Sequence, residues 1–362
     1  MGVEGNLEIS LFPKDGKVSR VEITSSRPLR LTSLFVGKEA NEVLSMVSSL
    51  YSVCGVAQKA AALGALEAAQ DIEVPDTVRR ARGLAVLAET AREHILRIAM
   101  DWGNGKPCND LPRIVAMPGN IVKALGEAFS IGGACQADHK EIEGQIALLE
   151  GYLEKEILGQ AWSEGHEAWL LAQETPIAAK IHDVQAQGWA ELGGHAEVLP
   201  LPELDSGRLA DLFTDPDYVA KPDWQGSVCE TTALTRSGTG DLGQGLLARM
   251  LALVEELAAI PQGLRDYLEG KGEGPKSDAV GSWGICQVEA ARGRLVHGIQ
   301  LTGEKVDDYR ILAPTEWNFH PQGVAAKSLE GLDFEDESLL VEKARHLICA
   351  IDPCVAFDIK VG

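Results

Sequence analysis

Basic residues are scarce in this sequence of 362 residues. Only 33 Lys and Arg stand against 54 Asp and Glu, a formal net charge of −21. Such a chain has no general field for polyanions, so bulk attraction to nucleic acid or to an anionic membrane is excluded. The acidity reads as solubility, or as docking to a basic partner. Aromatic residues are also few, at 5%, which leaves Ala, Leu, Val and Ile to fill the interior. No apolar run reaches membrane-spanning length. The seven cysteines, at 54, 108, 135, 229, 286, 349 and 354, form no Cys-x-x-Cys pair and no zinc-ribbon spacing. Neither a disulfide framework nor a structural zinc site is indicated. Met1-Gly2-Val3-Glu4 does not open a signal peptide, and Asn6 departs from the myristoylation pattern. A reducing cytoplasm is the expected compartment.

Hydrophobic residues make up 45% of the chain, enough for a sizeable core. The expected organisation is one domain over 1–362 with an internal loop or linker at about 193–225, where Pro, Asp and Gly interrupt any period. Leu7, Ile9 and Leu11, then Val21 and Ile23, alternate with polar residues around Lys14-Asp15-Gly16-Lys17, which predicts a hairpin. Ala57 to Gln70 is so rich in Ala that its helix is expected to be central and closely packed. Pro75-Asp76 opens another helix, with Leu84, Leu87, Ala88, Ala91, Ile95 and Ile98 at helical spacing. Ile142, Ile146, Leu149, Leu153 and Ile157 mark a third. Leu246 to Leu257 predicts a helix stopped by Pro261, and Glu269 to Ser277 a mobile loop. Two strand-like runs follow, Ser282 to Val288 and Arg294 to Leu301, then a last helix from Ser338 to Ala350. The fold class is α+β, helix-dominated, with an N-terminal β-hairpin and a central helical bundle.

Two cysteines stand at opposite ends of this layout, in Val53-Cys54-Gly55 and in Asp352-Pro353-Cys354. They can meet only if the last strand folds back into the core, and two thiolates that meet make a metal site possible. Five segments in order carry a family likeness: Val3-Glu4-Gly5-Asn6-Leu7, Val53-Cys54-Gly55-Val56, Glu289-Ala290-Ala291-Arg292-Gly293, Ala313-Pro314-Thr315-Glu316-Trp317-Asn318 and Asp352-Pro353-Cys354. Together they resemble the large, catalytic subunit of [NiFe]-hydrogenases across the whole chain. The departures are as telling. Where the family has the second cysteine of each of two Cys-x-x-Cys pairs, this chain has Ala57 and Phe357. Ser52, Ala61 and Lys360 stand where the family has an arginine and two histidines. No C-terminal extension of the kind a maturation protease removes is expected. Half of the nickel ligands are missing, so no nickel and no hydrogen-splitting activity are expected. Phe357 is expected to put bulk where a metal or bridging sulfur would sit.

This pattern resembles the HupK/HoxV family of large-subunit-like accessory proteins of hydrogenase maturation. The resemblance implies a non-catalytic scaffold for the Fe(CN)2(CO) moiety. Cys54 and Cys354 would hold the iron, Arg292 would donate to one cyanide and Thr315 would serve the other, and Leu295, Ala313 and Pro314 would wall the carbonyl. A guanidinium fork suits a buried anion. Glu4 matches a family carboxylate and is a possible hydrogen-bond partner behind the site. The implied partners are the hydrogenase large-subunit precursor and the cofactor-building maturation complex with its small HypC-like chaperone, with no nucleic acid and no membrane. A metal-free docking chaperone that mimics the large subunit is the alternative. His297 and His320 read as satisfied core or surface groups, and Cys349 as core.

Overall fold

The computed structural model describes residues 5–27, 29–51, 53–102, 110–237 and 242–362. β1 (Asn6–Lys14) and β2 (Lys17–Ser25) form the expected antiparallel hairpin. Asp15 and Gly16 between them both have positive φ, 53° and 76°. That is the two-residue turn whose twist matches paired strands. Leu7, Ile9 and Leu11 face inward and are buried.

α1 (Ala40–Leu50) leads to α2 (Gly55–Ala69), which is buried nearly all round, as its Ala content predicts. Small residues let the neighbouring sheet approach closely. A Cβ added at Gly284 would come within 2.1 Å of the Ala65 carbonyl. α3 (Asp76–Arg97) begins directly after Pro75; α4 (Leu111–Ala124) packs against it, and α5 (His139–Tyr152) packs against α4. A wider π-helical turn over Leu153–Leu158 continues α5 and keeps Leu153 and Ile157 buried. α6 (His166–Ala172) and α7 (Pro176–Ala186) complete this bundle.

The segment 193–225 holds more structure than its composition suggests. It contains β3 (Leu199–Pro200), α8 (Ser206–Leu212) and a 3₁₀ turn at Tyr218–Ala220. Leu204, Leu209, Phe213, Tyr218 and Trp224 form a second core against Trp283, Ile285 and Val296. Elements this short carry no period that a sequence window can detect. β3 pairs with β4 (Cys229–Glu230), and α9 (Ala233–Arg236) follows.

α10 (Leu246–Leu268) corrects a second expectation, because it runs straight through Pro261. An internal proline costs roughly 3 kcal/mol through a lost backbone hydrogen bond and a clash. Leu257, Ile260 and Leu264 flank it and are all buried, and full burial is worth about 1.5–3 kcal/mol for each. Packing therefore outweighs the break. The next segment is pinned as well: Tyr267 Oη donates to the Glu273 carbonyl at 2.5 Å, and strand already begins at Lys276.

β5 (Lys276–Val280), β6 (Trp283–Ala290), β7 (Gly293–Thr302) and β8 (Lys305–Leu312) form an antiparallel sheet in that order. The two strand-like runs of the sequence are its centre. α11 (Pro314–Asn318), α12 (Val324–Leu329) and α13 (Glu337–Ile351) follow. β9 (Ala356–Val361) then returns to pair in parallel with β1, from Asn6↔Ala356 to Leu11↔Val361. This return carries the C-terminal cysteine back to the N-terminal half. Among the described residues, no helix is long and apolar enough to cross a membrane.

Candidate functional site: a two-cysteine pocket

Cys54 is the residue that precedes α2, and its backbone is left-handed, with φ 55°. Its side chain does not cap the helix. Glu89 of α3 does so instead, accepting from the backbone N–H groups of Val56 and Ala57, both at 2.9 Å. A carboxylate at a helix N-terminus answers both the free donors and the helix dipole. The Cys54 sulfur is thereby left to face elsewhere. At the other end, Asp352 terminates α13, also left-handed with φ 63°, and Pro353 blocks continuation. Cys354 is placed between this stop and β9.

The guanidinium of Arg292 joins the two ends. Its Nη1 donates to Cys54 Sγ at 3.2 Å and to Glu93 Oε2 at 3.0 Å, and its Nε donates to Asp352 Oδ1 at 3.2 Å. Arg97 donates from Nε to Asp352 Oδ1 at 2.6 Å and from Nη2 to the Pro353 carbonyl at 2.9 Å. Arg92 ties Glu89 and Glu93 together from the outer side. Asn318 fixes the backbone behind Arg292, donating to the Arg292 carbonyl at 3.2 Å and to the Thr231 carbonyl at 3.0 Å. Around Cys354 the partners are fewer. Thr315 Oγ1 lies 2.8 Å from Cys354 Sγ, and Arg27 Nη1 donates to the neighbouring Glu316 at 2.7 and 3.0 Å.

Cys54 and Cys354 line one cavity, together with Arg27, Tyr51, Gln58, Arg292 and the apolar wall of Ala290, Leu295, Ala313 and Pro314. Its volume is about 20 Å³, space for about one water. Burial pushes the Cys54 thiol well above its ordinary value, and the Arg292 charge opposes this only in part. Asp352 is held low: burial works against its charge, and Arg292 and Arg97 outweigh burial. Glu89 is raised by burial despite Arg92 and its two backbone donors.

Sequence reasoning did not single out Glu89, Glu93, Arg97 or Arg27. The first three recur every fourth residue on α3, and this stripe was the available signal. Glu4 and Cys108 lie outside the described residues. Ala57 and Phe357 are not part of the cavity wall. Phe357 lies under the Arg345 guanidinium, 5.3 Å from its ring centre. His297 is a buried core residue between Tyr309 Oη and Gln58 Oε1, both at 2.8 Å, and burial lowers its pKa to about 3. His320 accepts from the Gln322 N–H at 3.0 Å, and Cys349 is buried in the core. Among the described residues, no three or more His, Cys, Asp or Glu side chains gather as a metal cluster. Any metal here would have the two thiols as its main protein ligands.

Residues 247–359 match the family model of nickel-dependent hydrogenases. Two curated relatives are hydrogenase expression/formation proteins. HupK of Rhizobium leguminosarum bv. viciae is 29% identical, over 99% of this chain and 96% of its own length. HoxV of Cupriavidus necator is 29% identical, over 93% and 92% respectively. Over nearly its full length the chain is thus similar to hydrogenase expression/formation proteins of the HupK/HoxV kind. Solved structures extend the HupK/HoxV likeness to the fold of an enzyme. The reduced, active Ni-Fe-Se hydrogenase of Desulfomicrobium baculatum superimposes with a TM-score of 0.66 at 17% identity, covering 95% of each chain. The α+β, helix-dominated fold is thus that of the hydrogenase large subunit.

Proposed function

We propose that this protein acts in hydrogenase maturation as a non-catalytic carrier of the Fe(CN)2(CO) group, which it passes to a large-subunit precursor. The observation that carries this reading is the two-thiol cavity with a guanidinium on one side and an apolar wall on the other. Soft thiolates suit low-spin iron. Arg292 already donates to Cys54 Sγ, and an anionic cyanide beside that sulfur meets the same donor. Leu295, Ala313 and Pro314 give a carbonyl a dry surface. The family names of the relatives support the maturation role. Absence of the second cysteines, at Ala57 and Phe357, supports a hold weak enough to release and leaves no four-sulfur nickel site.

Loading displaces the Cys54 proton, because the thiolate is the ligand. It also opens the cavity, since about 20 Å³ does not hold the group. That tightness favours one rival, a metal-free docking chaperone. The infrared spectrum of protein purified anaerobically from cells making the maturation machinery separates the two. Cyanide and carbonyl bands that vanish in both Cys54→Ala and Cys354→Ala establish the carrier. A bandless spectrum of the unmutated protein, with maturation intact in both variants, establishes the docking protein.

A further inference from the structure

Arg292 and Thr315 together do not serve both anions. Thr315 Oγ1 lies 2.8 Å from Cys354 Sγ. Once Cys354 binds metal as a thiolate it has no proton, so the hydroxyl must donate to the sulfur. A hydroxyl has a single hydrogen. Thr315 is then committed to its cysteine and has no donor left for a cyanide. Arg292 serves the Cys54 side: three of its five N–H donors go to Cys54, Glu93 and Asp352, and the rest remain for an anion. The second anion needs another donor.

Arg27 is the other cation on the cavity wall. It emerges just after β2, close enough to Cys354 for their charges to interact. Glu316, from α11, anchors its Nη1 with both carboxylate oxygens. The pair is largely buried, with side-chain exposures of 11% and 7%, and a desolvated guanidinium is a strong donor to a small anion. Gln58 and Tyr51 also line the cavity and carry donors, but both are neutral, and a charged donor holds a small anion more strongly. We infer that Arg27, positioned by Glu316, donates to the cyanide on the Cys354 side. Each cysteine then has its own guanidinium: Arg292 for Cys54 and Arg27 for Cys354. The inference rests on the carrier reading above, and it reassigns the second cyanide from Thr315 to Arg27.

The test is the infrared spectrum of anaerobically purified protein carrying Arg27→Lys, or Arg27→Met together with Glu316→Gln so that no buried charge is left unpaired. Thermal melts confirm that each variant folds. Arg27→Lys keeps the charge and loses the fork. The expected result is that one cyanide band moves in both variants, the other stays, and iron content falls severalfold in the double variant. Arg292→Lys moves the band that the Arg27 variants leave in place. Both cyanide bands unmoved in the Arg27 variants, with full iron content, overturn the inference and leave the carrier reading standing. A band that moves in Gln58→Leu but not in Arg27→Lys also overturns it. No bands in the unmutated protein overturn the carrier reading and the inference with it.

Discussion

The surroundings of Cys54 and Cys354 differ sharply, although both sulfurs line one cavity. Cys54 sits at the buried start of α2 beneath Glu89, Glu93, Arg292 and Asp352. Cys354 is partly exposed and has Thr315 as its nearest partner. Buried charges in a network are costly to disturb singly, whereas a half-exposed thiol on a turn adapts at little cost. The contrast suggests a fixed half and an accessible half. A carrier that must both protect and release a group benefits from that division, because the accessible thiolate can exchange first.

The largest effect should come from breaking the fixed half. Arg292→Leu removes the shared cation between Glu93 and Asp352 and leaves the first with Arg92 alone and the second with Arg97 alone. Losing one partner of a buried ion pair costs about 3–5 kcal/mol. Urea denaturation should show a loss of that order, and a loss within experimental error would mean that the network holds little of the fold.

The same half sets the acid limb of stability. Asp352 has a folded pKa below its ordinary value of 3.8. Its contribution is full above the unfolded pKa and is lost as pH falls through the folded value. Asp352→Asn should flatten that lowest limb. His297 acts at higher pH and from a different cause. Its folded pKa is about 3 against 6.5 in the open chain. The unfolded state takes the proton first, so stability falls as pH drops from about 6.5 towards 3. At about 1.4 kcal/mol per unit the full loss is several kcal/mol. His297→Gln should remove most of this slope, and a stability curve unchanged between pH 6.5 and 4 would refute the buried neutral imidazole.

Thiol chemistry tests the contrast more directly. Reaction needs thiolate and access. Burial raises the Cys54 pKa and hides its sulfur. In unloaded protein, alkylation followed by peptide mass mapping should find Cys354 modified roughly tenfold faster than Cys54. Equal rates would erase the distinction between the two halves.

Much of this arrangement could be read in the chain, and the reason differs by element. The hairpin followed from strict alternation around Asp15-Gly16, and α2 from an Ala content that only close packing explains. The cysteines, Arg292, Leu295, Ala313 and Pro314 line one cavity, and motif order had grouped them. Glu89, Glu93 and Arg97 escaped because a charged stripe on a helix looks the same whether it faces water or a partner about 200 residues away. Pro261 misled because local propensity is weak beside three buried aliphatic neighbours. Segment 193–225 misled because its elements are shorter than the period that would reveal them. What sequence patterns miss here is long-range pairing of charges.

The smallest effect concerns the accessible half. Thr315→Val keeps the shape of the side chain and removes the hydroxyl beside Cys354 Sγ. A single hydrogen bond is worth about 1 kcal/mol, so stability should fall by no more than that. Two further readouts should move. Without the hydroxyl the reacting Cys354 sulfur loses its nearest hydrogen-bond partner, so its alkylation at neutral pH should slow even though access is unchanged. The alkylation rate of Cys54 should not change, since Arg292 rather than Thr315 is its partner. If both cysteines slow together, the two sulfurs share one polar environment and the division into halves is wrong. If only Cys354 slows, each thiol is tuned by its own neighbour, and release of a bound group can be adjusted at one end without loosening the other.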